Sequence, residues 1–330
     1  MREAKRVWRS GSRRLTAILL AVVTAVSIVG VSVGTGTAEA AGRTAWVDAC
    51  GMPTGGSFGK TGNGKVKIRY WKKPGNRRSV IMLDGMRAGY DRSGWEKNSN
   101  IQNLVNHGVN VVEPVGGPAS FYTDWNAPSN FNGQRERYRW GCVIDKRVVP
   151  WMKSAGFRGK FGKKYAIMGL SMGGNAALAH AANRRDLYYA GGSLSGYNFL
   201  TAPGMRTALR MALLDVEPQP WNVDAMWGPP WSPRWAANDP ARLINKMHGM
   251  KVFVGSGNGL FGRYNRPENT VDDLFKGTPL EMLAFAQTKA FEVSARVQGV
   301  NPMTHYANGT HTWGYWQDMV WSALRQGFFR

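Results

Sequence analysis

Cysteine and histidine are scarce: the 330 residues contain only Cys50 and Cys142 and five histidines. So few sulfur and imidazole groups, so widely scattered, exclude a ligand cluster, and neither a metal nor an organic cofactor is implied. Acid is also in short supply, with 21 Asp and Glu against 43 Lys and Arg, a formal net charge of +22. A field of that sign attracts phosphate whatever the fold. The basic residues are nevertheless spread along the chain, and no zinc-ligand spacing or nucleic-acid module appears, so no nucleic-acid partner is expected. Beyond residue 40 no apolar run is long enough to cross a bilayer.

The first forty residues differ in kind. Arg2, Lys5, Arg6, Arg9, Arg13 and Arg14 precede an uncharged run from Leu15 to Val33, and small residues follow, ending in Ala38-Glu39-Ala40. Basic, then apolar, then A-x-A is the order of a secretory signal peptide, so 1–40 reads as a leader cut after Ala40 and 41–330 as the mature domain. An uncleaved anchor is the alternative, because the apolar run is long for a signal core. Removing six basic and two acidic residues leaves +18. A basic protein outside the plasma membrane, secreted or held in the cell envelope, meets anionic lipid headgroups or acidic wall polymers. In that oxidising compartment Cys50 and Cys142 are disulfide candidates.

No repeat or low-complexity linker divides 41–330, which reads as a single domain. Apolar runs ending in turns predict strands at 66–71 (VKIRYW), 79–85 (SVIMLDG), 109–117 (VNVVEPVGG), 164–171 (KYAIMGLS), 189–196 (YAGGSLSG) and 251–259 (KVFVGSGNG). Helical candidates lie between them, including IQNLVNHG, VVPWMKSAG, GGNAALAHAANRR and PLEMLAFAQTKAFEVSARVQ. Alternation of this kind predicts an α/β fold with a mostly parallel sheet, flanking helices, and a site along the strand C-terminal edge.

At that edge stands Gly169-Leu170-Ser171-Met172-Gly173, entered by an apolar strand and left by a small-residue helix. That is the setting of a G-x-S-x-G elbow, which projects its serine while the next backbone N–H, here of Met172, can donate to an oxyanion. A histidine base is expected downstream. His180 lies on the helix after the elbow and reads as a helix-face or partly buried imidazole; His248, in NKMHGMK, reads as surface. His305 and His311 share MTHYANGTHTWGYW, a predicted loop opening a C-terminal helix, and His311 is favoured because Trp313 and Trp316 can wall it from water. The acid stays open among Asp272, Asp273 and Glu281. Gly257-Asn258-Gly259-Leu260-Phe261-Gly262 fits G-x-G-x-x-G, but RYNRPENT follows instead of a helix, which argues against a dinucleotide site.

Taken together, LDGMRAGYDRSGW (83–95), PVGGPASFYTDW (114–125), GLSMGG, YAGGSLSG, MWGPPW, NDP, GNG and GTHTWGYW (309–316) resemble the secreted mycolyltransferases of the antigen 85 group, within the α/β-hydrolase fold. The resemblance spans about residues 64 to 325. It implies Ser171 as nucleophile, His311 as base and Glu281, in PLEMLAF, as acid. It also implies an oxyanion hole from the N–H groups of Met86 and Met172, and sugar contacts from Asp84 and Arg87, with Trp313 beside the histidine. The implied reaction is transfer of a mycolyl group from trehalose monomycolate to a second trehalose monomycolate or to cell-wall arabinogalactan through a serine acyl-enzyme. Met282, Leu283 and Phe285 are candidates to flank the acyl chain. A secreted carboxylesterase of the same fold is the first alternative. A basic wall-associated protein binding host matrix protein is the second. The chain departs from the family where Tyr197-Asn198-Phe199 replace an aspartate after the SG turn, and around NFNGQRERYRW, which lacks a cysteine pair.

Overall fold

Eight strands form one sheet in the order β1-β2-β4-β3-β5-β6-β7-β8 in the computed structural model, which describes residues 42–52, 64–131, 133, 137–214, 216 and 220–330. The expected leader, 1–40, lies outside these residues. So does part of the NFNGQRERYRW segment. The described residues belong to a unit bounded by Ala40 and Arg330.

β3 (Arg78–Leu83), β4 (Val109–Pro114), β5 (Tyr165–Leu170), β6 (Tyr188–Leu194) and β7 (Lys251–Gly257) are almost wholly buried. Strands covered by helices on both faces carry unbroken apolar runs, which is why the sequence announced all five. β2 (Lys65–Trp71), also expected, alternates more and pairs antiparallel with both β1 and β4, while the rest of the sheet is parallel. Two strands were not expected: β1 (Arg43–Asp48) and β8 (Met303–Ala307). The second corrects the reading of residues 303–307 as loop. Both lie at sheet edges and neither is covered on two faces, so their sequences, RTAWVD and MTHYA, lack the apolar run.

Helices pack on both sides. Trp125, Trp221 and Trp227 belong to one core cluster, and Trp95, Phe253 and Phe328 to another. A disulfide joins Cys50 to Cys142 and so ties the turn after β1 to the short helix Trp140–Val143, across 92 residues of chain. No helix among the described residues is long and apolar enough to cross a membrane.

Candidate active site

Ser171 terminates β5 and precedes the elbow helix, Met172–Asn183, with φ +50° and ψ −123°. Such a backbone is strained for a residue with a Cβ, and the surroundings hold it: the Ser171 N–H donates to Leu194 O at 2.7 Å. Glycine is required on either side. A Cβ at Gly169 would strike the Gly173 carbonyl, and one at Gly173 would strike the Asp84 carbonyl. The Ser171 side chain thus projects from a turn pressed between β3 and β6. Met172 opens the helix, so its N–H belongs to the first-turn amides that have no acceptor within the helix.

Glu281 lies in the first turn of the helix Thr278–Val297. It shares a buried stripe with Ala284, Thr288, Phe291 and Ala295, and its side chain is fully buried. A buried carboxylate needs donors, and four are present. His311 Nδ1 lies 2.6 Å from Oε2, while Oε1 accepts from Ser195 Oγ (2.6 Å), Ser256 Oγ (2.9 Å) and the Gly257 N–H (2.6 Å). Trp316 Nε1 donates in turn to Ser195 Oγ at 3.0 Å. The Glu281–His311 pair is therefore fixed from two strand ends and the C-terminal helix, Trp313–Arg325.

His311 and Ser171 line one cavity of about 390 Å³, together with Asp84, Met86, Arg87, Tyr197, Leu280 and Trp313. Aromatic rings wall one side: Trp95 meets Trp313 edge-on at 5.4 Å, Trp313 meets Trp316 at 5.3 Å, and Trp316 meets His311 at 4.9 Å. Beside Trp313, Asp84 is buried, with Ser93 Oγ 3.1 Å from Oδ1 and the Gly94 N–H 3.1 Å from each carboxyl oxygen. Burial pushes its carboxyl up to about 6 although the Gly94 and Ser93 donors favour the charge. The Met86 carbonyl accepts from the Ala119 N–H at 3.0 Å, which steadies the turn that carries the Met86 N–H.

The structure thus brings Ser171, Glu281, His311, Met86, Asp84, Arg87 and Trp313 to one place. Other candidates go elsewhere. Of the residues expected to flank an acyl chain, Met282 is exposed and Phe285 packs on Tyr306; the cavity wall takes Leu280 instead, one helix position before Glu281. The side chains of Asp272 and Asp273 lie outside the described residues. His248 is exposed, and His305 lies on β8, where burial holds its imidazole below the usual range. The G-x-G-x-x-G segment leads from β7 into turns, and its first glycine supplies the N–H that Glu281 accepts.

Sequence reasoning passed over Ser195 and Ser256, and neither carries a local signal, because each acts only across strands. Glu281 did carry one: it is an acid at a position of the apolar helix stripe, where a charge has to be partnered.

An elbow after the fifth strand of a sheet in this order, with an acid–histidine pair at the same edge, defines an α/β-hydrolase-fold protein. The Esterase family model matches residues 61–326. Diacylglycerol acyltransferase/mycolyltransferase Ag85C of Mycobacterium avium is 31% identical over 315 residues, covering 90% of this chain and 84% of that protein. The Ag85C of Mycobacterium leprae is 30% identical over 260 residues, covering 77% of this chain and 74% of that protein. Among solved structures, Mycobacterium tuberculosis MPT51 (FbpC1) shares the fold with a TM-score of 0.66 at 23% identity, covering 81% of this chain and 94% of that one. The chain belongs to the Esterase family and, within it, to the antigen 85-type group. It is an acyl-transferring or hydrolytic enzyme.

Proposed function

We propose that the protein is a secreted mycolyltransferase acting through a Ser171–His311–Glu281 triad, with trehalose monomycolate as acyl donor and a second trehalose monomycolate or cell-wall arabinogalactan as acceptor. The observation that carries this reading is the 2.6 Å Glu281–His311 pair opening on the same cavity as the elbow serine. The Ag85 relatives are diacylglycerol acyltransferase/mycolyltransferases, which supports the acyl group and the transfer.

His311 is held by Glu281 through Nδ1, so Nε2 is the nitrogen left to take the Ser171 proton. The Ser171 oxygen attacks the ester carbonyl, and the Met86 and Met172 N–H groups receive the oxyanion; one such donor contributes about 3–4 kcal/mol in the transition state. His311 returns the proton to the departing sugar, then takes one from the acceptor hydroxyl. Transfer outruns hydrolysis only if that hydroxyl is held in line, which supplies an effective molarity of about 10⁵ M or more. Asp84, Arg87 and Trp313 line the cavity and are our candidates for that task.

The test is intact-protein mass spectrometry of wild type and Ser171→Ala after incubation with a short-acyl trehalose ester, scoring adduct and diester together. An adduct on wild type alone, with diester formed, is the expected result. An adduct releasing only free acid would replace transferase by carboxylesterase. No adduct would leave a wall-associated binding protein, host matrix included, on a hydrolase fold. The +18 charge left after loss of residues 1–40 suits an anionic lipid or wall polymer surface. Vesicle binding that weakens as salt rises is the expected signature of the lipid surface.

A further inference from the structure

β4, β3, β5, β6 and β7 are parallel, so all five begin at the sheet edge opposite the cavity. The chain at that edge, residues 72–78, 153–164, 184–187, 248–251 and 327–330, holds thirteen Lys and Arg and a single acid, Asp186, which pairs with Arg184 at 2.7 Å. Packing draws several of these cations together. Ser79 Oγ donates to the Arg158 carbonyl at 2.8 Å, at the start of β3. Lys160 Nζ lies 5.6 Å from the centre of the Tyr189 ring, and the Tyr189 hydroxyl donates to Phe329 O at 3.0 Å. Lys251 Nζ donates to Gly327 O at 2.6 Å, and the Arg330 side chain folds over the same glycine. Burial, and then the charges of Lys160, Arg78 and Arg330, hold the Lys251 ammonium below its usual range. Repulsion of this kind destabilises the protein alone and is relieved by an anionic partner.

A tight turn leads into β5, the middle strand of this edge. Lys160 and Lys164 face each other across an isolated antiparallel bridge, and Phe161, Gly162 and Lys163 close the turn between them. Phe161 is 78% exposed and has φ +53°. Glycine or asparagine suits such a backbone, and a bulky ring there is costly. The ring meets Lys160 Nζ at 5.3 Å and joins no core cluster, so burial does not repay that cost. An aromatic side chain held out among lysines fits a lipid surface, where the ring enters the apolar boundary and the ammonium groups meet headgroup phosphates. A soluble acidic polymer would satisfy the lysines and leave the ring in water.

We propose that this edge is a docking surface for an anionic phospholipid bilayer, with Phe161 as the inserted tip and Arg158, Lys160, Lys163 and Lys164 as the headgroup contacts. The proposal narrows the net-charge argument above to one face and one partner. It rests on the proposed function only for placing the protein outside the plasma membrane, and it needs no acyl-enzyme. Ser171 stands at the far end of β5, whose six residues span about 20 Å. A protein docked by the turn before β5 therefore holds its cavity away from the bilayer and open to an acceptor farther out.

The experiment is co-sedimentation of the protein with phosphatidylcholine vesicles, with and without phosphatidylglycerol, across a range of salt. Wild type should bind the anionic vesicles alone and let go as salt rises. Arg158→Gln and Lys163→Gln should each weaken that binding by about fivefold. Phe161→Asn should weaken it by about tenfold with the melting temperature unchanged or raised, because asparagine tolerates the backbone, whereas Phe161→Leu keeps an apolar tip and should bind within about threefold of wild type. Hydrolysis of a short soluble ester should stay at the wild-type level in all four variants, and Ser171→Ala should bind vesicles as wild type does. Docking can thus fail while the acyl-enzyme stands, and the reverse. Binding that the charge variants lose but Phe161→Asn keeps, matched by equal affinity for soluble polyphosphate, would make the edge a polyanion site and overturn the lipid assignment. Binding that no variant weakens would place the contact on another face and overturn the proposal outright.

Discussion

Two histidine–carboxylate pairs lie among the described residues, and only one faces the cavity. His311 meets Glu281 at 2.6 Å and His180 meets Asp145 at 3.0 Å; both imidazoles are largely buried. They differ at the second nitrogen. Nε2 of His180 lies 2.9 Å from the Tyr122 carbonyl, an obligate acceptor, so with Asp145 at the other nitrogen both ring nitrogens face acceptors, an arrangement that favours the imidazolium. Burial works against that charge, but Asp145 outweighs it and raises the His180 pKa. Asp145 also accepts from Tyr188 OH at 2.7 Å. A histidine with both nitrogens committed cannot shuttle protons. This one is a strut, pinning a segment in which Ala119, Phe121 and Tyr122 all adopt positive φ and from which the Ala119 N–H reaches the Met86 carbonyl.

The comparison can be broken from the catalytic side first. His311→Ala should lower turnover of a short trehalose ester by about 10⁴- to 10⁶-fold in protein that still folds, because Glu281 keeps three donors at Oε1; a loss below about tenfold would mean that another group is the base. Glu281→Gln should cost about 10³- to 10⁴-fold in kcat by releasing the histidine tautomer, with KM little changed.

From the structural side, His180→Ala strands the buried Asp145. Chemical denaturation should show a loss of about 3–5 kcal/mol, with activity per folded molecule within about tenfold. An activity loss as deep as that of His311→Ala would contradict the assignment of strut and base. The smallest effect concerns pH. The raised pKa of His180 means that its contribution is fully present below the unfolded value near 6.5 and is lost as pH rises through the folded value. Asp145, held below its usual 3.8 by His180 against its own burial, contributes above that value and loses its contribution in stronger acid. The stability gap between wild type and His180→Ala should therefore be widest between about pH 4 and 6.5 and shrink above it, as read from melting temperatures across that range.

Neither the strut nor its difference from the catalytic pair is visible in the chain order. His180 reads as a helix-face residue because Asp145, Tyr122 and Tyr188 are 35, 58 and 8 residues away and meet it only through packing. The elbow was legible, since the requirement for small residues around a strained serine acts within five positions. His311 was favoured by its tryptophans, which do pack on it. The acid was not decided by spacing: three candidate carboxylates, Asp272, Asp273 and Glu281, stood before the histidine, and family resemblance singled out Glu281. β8 escaped notice because an edge strand need not be apolar.

By itself the sequence determined the buried strands of the sheet, the elbow, the pool of candidate bases and acids, and the cysteine pair that the fold joins. Those features follow from short-range rules: apolar runs, backbone strain at adjacent residues, and composition. The tertiary structure alone decided that Glu281 has four donors, that Ser171 and His311 open on one cavity, and that His180 is locked at both nitrogens. Each depends on strand order in the sheet, which sets distances between residues far apart in the chain and which no local pattern encodes.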